Sequence, residues 1–97
     1  MILVVKTETL LVDHVSRNTS DVATAADATP VMTMYADADY AGQTGPITLT
    51  VAAVTGVTGA YAGTKDTTSL ALGSYVVKVT CLLATADRLY TYRVRIV

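Results

Sequence analysis

The chain of 97 residues predicts an all-β domain, an antiparallel sandwich of about six or seven short strands. Three observations carry this expectation. Apolar and polar residues alternate over 31–40, 47–55, 73–83 and 89–97. The same stretches are rich in Val, Thr, Ile and Tyr, which suit a pleated, half-buried surface. Glycine and proline punctuate the intervals at Gly42, Gly45, Pro46, Gly56, Gly59 and Gly73, and no stretch with helical period competes.

Residues 2–12 open the chain with Val, Leu and Thr. Leu3, Val5, Thr7, Thr9 and Leu11 lie on one face of an extended strand, and Ile2, Val4, Lys6, Glu8, Leu10 and Val12 on the other. Both faces are apolar at the ends and polar in the middle. A strand held by different neighbours at its two halves has this pattern, and so does an arm reaching onto another subunit. From Asp13 to Thr29 the alternation is lost among Ser, Thr, Asn, Asp and Ala, which reads as a long loop or extended arm. Loops of that length are uncommon in compact domains unless they are functional or lie against another chain. The organisation expected is therefore a strand or arm with a long loop over 1–29, and a sandwich body over 30–97, in one domain. On that division, removing residues 1–28 leaves a folded sandwich that has lost its assembly contacts.

Pro30 stands at the start of the next strand, where its missing donor is tolerated. Over 31–40, Met32, Met34, Ala36 and Ala38 form the inward face, with Tyr35, Asp37 and Asp39 on the open one. A turn at 40–46 leads to a strand over 47–55, with Ile47, Leu49, Val51 and Ala53 inward. A short strand follows at 60–64. Gly73 then permits a sharp corner, and Tyr75, Val77, Val79, Cys81 and Leu83 face inward behind it. A turn over 84–88 precedes the last strand, where Tyr90, Tyr92, Val94 and Ile96 share a face.

Composition narrows the function. Hydrophobic residues make up 52% of the chain and charged ones 15%, with a mean hydropathy of +0.45. A domain this small hides only about two-thirds of its unfolded surface. Two readings stand: contact with other chains, or an Ala- and Val-rich surface that is simply poor in charge. The net charge of −1 and the scattered basic residues argue against nucleic acid and anionic membranes as partners. Arg93 and Arg95 share a strand face and read as solvated. No apolar run reaches the length of a membrane span, and residues 1–12 lack the pattern of a signal peptide, so folding in the cytoplasm is expected.

No catalytic, cofactor or metal site is expected. His14 is the sole histidine, and it reads as an exposed loop residue with no nucleophile beside it. Cys81, the sole cysteine, sits in an apolar alternation and reads as a buried, inert thiol. Asp37 and Asp39 on one strand face could hold Ca²⁺ with loop carbonyls, but a solvated pair is the plainer reading. Tyr35 and Tyr40 fall on the open face or turn, where an apolar ring with a wet hydroxyl suits a protein or sugar contact. Leu3, Val5, Leu11 and Val15, with these two tyrosines, are the expected partner-binding residues.

From Ala60 onward the order is a Gly-Ala-Tyr-Ala-Gly strand, a polar connection, Leu70-Ala71-Leu72-Gly73-Ser74-Tyr75, a Val-rich strand, a turn and a last strand. This resembles the second half of an immunoglobulin-like β-sandwich, in which a tyrosine near the start of the penultimate strand plugs the corner between sheets. Gly73 and Tyr75 match that corner. Val77 stands where the disulfide cysteine would be, and no tryptophan marks the central strand, so the resemblance is to a disulfide-free member. Small sandwiches of this composition look like the accessory structural proteins of tailed bacteriophages: capsid decoration or cement proteins, head fibres, and tail or baseplate modules. The resemblance covers about two-thirds of the chain, from Pro30 to the end. It implies a non-enzymatic virion protein, foremost a capsid decoration protein that stabilises a head lattice. Its partners would be the major capsid protein or other virion subunits, and it would form a homo-oligomer or a multicopy assembly. The alternative is a tail, baseplate or adhesin-type module that recognises carbohydrate or a surface protein.

Overall fold

The computed structural model describes residues 1–97. Eight strands form two sheets: β1 (Ile2–Val4), β2 (Thr9–Val15), β3 (Val31–Ala36), β4 (Ile47–Thr48), β5 (Thr50–Ala53), β6 (Ala60–Asp66), β7 (Gly73–Leu83) and β8 (Ala86–Ile96). The five-stranded sheet has the order β1-β8-β7-β3-β4, and the three-stranded sheet the order β2-β6-β5. All pairings are antiparallel except β1 with β8. The expected all-β sandwich is present.

The core lies between the sheets. Val4, Met32, Met34, Tyr75, Val77, Val79, Val94 and Ile96 come from the larger sheet, and Leu10, Val12 and Tyr61 from the smaller one. Leu49 joins them from the link between β4 and β5. The period-two alternation places these residues on one face of each strand, and burying that face supplies the main driving force. At Gly63 the sheets approach so closely that a Cβ would collide with the Met32 sulfur.

Several boundaries differ from the expectation, each for a physical reason. The single strand over 2–12 is two strands in two sheets. Val97 donates to the Val4 carbonyl and Lys6 to the Val97 carbonyl, both at 2.9 Å, so β1 stays on β8 until Lys6. Thr7 then adopts φ 85°, and the chain crosses to the smaller sheet. Polar Lys6, Thr7 and Glu8 mark that crossing, which is the two-neighbour pattern seen in the sequence. The strand over 47–55 divides in the same way. Leu49 donates to the Met32 carbonyl at 3.0 Å, after which β5 pairs with β6.

The division at residue 29 is corrected. Val4, Leu10 and Val12 are core residues of β1 and β2, so residues 1–15 belong to the sandwich body. Removing residues 1–28 would delete an edge strand from each sheet, and a folded remainder is not expected. The segment 16–30 is a loop that crosses from the smaller sheet to the larger one, and it is held by its own chain. Thr24 donates to the Ser16 carbonyl at 2.8 Å, Asp27 to the Leu82 carbonyl at 2.8 Å, and the Ala26 amide to the Tyr61 hydroxyl at 3.0 Å. Gly59 lies under this loop with φ 77°, and a Cβ there would meet the Thr24 carbonyl oxygen at 2.8 Å. An arm laid on another subunit is therefore replaced by a strap across one end of the sandwich.

The turn over 84–88 is shorter than expected. Ala84 and Thr85 alone join β7 to β8, at φ 50° and 64°. Two left-handed residues match the twist of a two-residue hairpin, a position usually given to Asn and Gly. The Asp27 carboxylate, reaching over from the strap, accepts from the Thr85 amide at 2.9 Å and holds the turn.

Candidate functional site

The expected contact residues are placed on both sides of the sandwich. Leu3 is 66% exposed and lies on the outer face of the larger sheet, where it pairs in register with Arg95. Val5 follows at the end of β1, also exposed. Leu11 and Val15 are exposed on the outer face of the smaller sheet. The two sheets turn these faces in opposite directions, so Leu3 and the Leu11–Val15 pair do not form one patch.

Tyr35 does not stand open. It is on the outer face of the larger sheet but only 6% exposed. The segment after β3 folds back over it: Asp37–Asp39 forms a 3₁₀ turn, and the Tyr40 ring packs edge-on against Tyr35 at 5.9 Å between centroids. The Lys78 ammonium lies 5.8 Å from the Tyr35 ring and donates to Gln43 Oε1 at 2.6 Å. A platform of two open tyrosines is thus corrected to a covered tyrosine and a half-buried one. The acids at 37 and 39 are in the turn, not on a strand face. Asp37 accepts from Arg93 at 3.2 Å, an exposed pair of small energetic weight. No three carboxylate, imidazole or thiolate groups converge anywhere in the structure.

The exposed-loop reading of His14 is corrected most sharply. β2 runs through Val15, and the inward series Leu10, Val12, His14 continues to Ser16. The imidazole is buried between the sheets with its Nδ1 2.6 Å from the Tyr92 hydroxyl, and its ring centroid is 4.6 Å from that of Tyr90. Its Nε2 has no partner. Burial lowers the His14 pKa, because the charged form would lose its hydration. Burial also raises the Tyr92 pKa, helped by the neighbouring Tyr90. Ser16 and Cys81 meet at 3.0 Å in the same layer, so the thiol is buried as expected and faces a hydroxyl. Polar residues at inward positions made the end of β2 look like a loop. The signal that could have extended the strand was the unbroken even-numbered spacing from Leu10 to His14.

The corner is as expected. Tyr75 is buried, and its hydroxyl donates to the Ala71 carbonyl at 2.7 Å. Gly73, at φ 135°, turns the chain into β7.

What remains as a site is surface. Exposed large apolar side chains include Leu72 at 63% and Leu89 at 61%, with Val31 and Val57 also open. On the larger sheet they are interrupted by Lys78, Arg93 and Arg95. On the smaller sheet the outward face runs Thr9 and Asp66, then Leu11, Thr64, Thr50, then Asp13, Ala62, Ala52, then Val15 and Ala60, with two carboxylates, Asp13 and Asp66, among them. Such a face can bind by burial of apolar area and by backbone hydrogen bonding. Compared with known protein families, with curated proteins and with solved structures, the chain matches none.

Proposed function

We propose that the protein is a non-enzymatic virion structural protein of the immunoglobulin-like kind, acting as a capsid decoration protein on a phage head lattice. The observation that carries this reading is the surface: a chain with 15% charged residues leaves large apolar side chains open on both outer faces. The immunoglobulin-like assignment draws support from the strand order, with β3, β7 and β8 adjacent in one sheet and β2, β6 and β5 in the other. The Tyr75 corner supports it as well. The mechanism is mechanical. Many copies engage subunits of a preformed shell through these faces, burial of apolar area supplies the affinity, and the clamped lattice resists opening. The sole histidine, enclosed between the sheets, leaves little support for acid–base chemistry.

The tail, baseplate or adhesin reading rested on Tyr35, Tyr40 and the acids at 37 and 39. Covered Tyr35 and ion-paired Asp37 give it less support. Gold-labelled antibody against the chain, imaged on particles purified from the strain that encodes it, tests the proposal. Regular labelling of heads is expected. Labelling confined to tails favours the alternative, and particles without label overturn both.

A further inference from the structure

The smaller sheet ends in an unusual edge. β2 and β6 form a hydrogen-bonded pair just beyond each end of the strand: Ser16 donates to the Gly59 carbonyl at 2.8 Å, and Thr67 donates to the Glu8 carbonyl at 3.4 Å. In an antiparallel ladder such pairs recur at every second residue. Leu10, Val12 and His14 therefore direct their amides and carbonyls to β6. Thr9, Leu11, Asp13 and Val15 direct theirs out of the sheet, where no backbone or side-chain group of the chain receives them.

The other edges are short. β1 spans Ile2–Val4, β4 spans Ile47–Thr48 and β5 spans Thr50–Ala53. β2 spans Thr9–Val15, without lysine, proline, glycine or bulge, and these are the devices that normally blunt an edge. Leu11 and Val15 stand open beside the free backbone groups, and Asp13 is the strand's one charge.

We infer that the free edge of β2 pairs antiparallel with β2 of a second copy, joining the two small sheets into one across a two-fold axis at Leu11. Among axes near the middle of the strand, Asp13 favours the one at Leu11. A two-fold axis at Asp13 would set the two carboxylates directly opposite, and one at Val12 would set them on the diagonal. An axis at Leu11 pairs each Asp13 with the other copy's Thr9, whose hydroxyl can donate to it, and places the two Leu11 side chains against each other on the outer face. The register joins outward-directed backbone groups only, so no bond to β6 is given up. The interface is isologous and closes at two copies. It deepens the assembly reading above by naming the contact between copies.

Sedimentation velocity of the full chain over a wide concentration series tests this. A reversible dimer is expected. Leu11→Lys sets like charges together at the axis and should weaken dimerisation at least about tenfold. Leu11 is exposed in the monomer, so the melting temperature of the dilute variant should stay unchanged. Under mild oxidant Leu11→Cys should give a disulfide-linked dimer, since hydrogen-bonded antiparallel pairs hold Cα atoms about 5.5 Å apart, within disulfide reach. Leu89→Cys, on the outer face of the larger sheet, should not, and Cys81 is buried. A chain monomeric at every concentration, or a dimer that Leu11→Lys leaves intact, overturns the inference. Labelled particles with a monomeric free chain would overturn the β2 contact alone. A β2 dimer absent from particles would overturn the virion reading alone.

Discussion

Two tyrosine hydroxyls anchor this sandwich, and they are held in different ways. Tyr75 donates to the Ala71 carbonyl, four residues back on a segment open to water. Tyr92 bonds His14 across the two sheets, 78 residues away, where neither ring nitrogen has another partner. The first contact is local, and water can substitute for it. The second is made only when the sheets close, and nothing replaces it. The worth of a hydrogen bond here depends less on its length than on whether water can replace the partner that is lost.

The largest loss is expected at the ring of Tyr75. Tyr75→Ala removes a large core aromatic and should cost about 3–5 kcal/mol, read as a lower midpoint in chemical denaturation. A small domain holds about 5–15 kcal/mol in all, so much of its stability would go. Loss of under about 1 kcal/mol would mean that the corner is not a structural element.

The next effect separates the two hydroxyls. Tyr92→Phe keeps the ring but leaves His14 with no partner at either nitrogen, at a cost of about 1–3 kcal/mol. Tyr75→Phe, with water available to Ala71, should cost less, about 0.5–1.5 kcal/mol. Equal costs would refute the distinction.

Acid acts on His14 and leaves the Tyr75 corner alone. The folded protein holds His14 below its ordinary value of 6.5, so below that pH the unfolded chain binds the extra proton first. Stability contributed by keeping the imidazole neutral is present above pH 6.5 and is lost as pH falls beneath it. The rings facing His14, those of Tyr90 and Tyr92, bring no carboxylate to offset this. Melting temperature should fall between neutral pH and mild acid, and His14→Gln should flatten that slope. A slope unchanged in His14→Gln would place its origin elsewhere.

The smallest effect is expected at the surface. Asp37→Asn breaks the exposed pair with Arg93 and should change stability by at most about 1 kcal/mol. A larger loss in thermal melts would show that the turn over Tyr35 depends on that pair.

Much of the sandwich was legible because its strands advertise a face. The inward series Tyr75, Val77, Val79, Cys81 and Leu83 stands as read, and so does the corner, whose hydroxyl finds its partner within four residues. Tyr35 lies on the face the alternation predicts but is covered, because alternation gives direction and says nothing of a loop that returns over it. His14 was hidden because a polar residue at an inward position looks like the end of a strand. Its partner lies on the last strand, beyond the reach of spacing.

Local chemistry was enough for the class of fold, the corner at Gly73 and Tyr75, and the inward rows of β3, β7 and β8. These follow from side-chain period and backbone sterics, which act over a few residues. Closure of the sheets alone assigned the two halves of residues 2–12 to different sheets, drew the segment 16–30 across one end, and enclosed His14. It also left β2 as an open edge facing away from Leu3. Those outcomes depend on which strand lies beside which, and that is settled by burial summed over the whole chain.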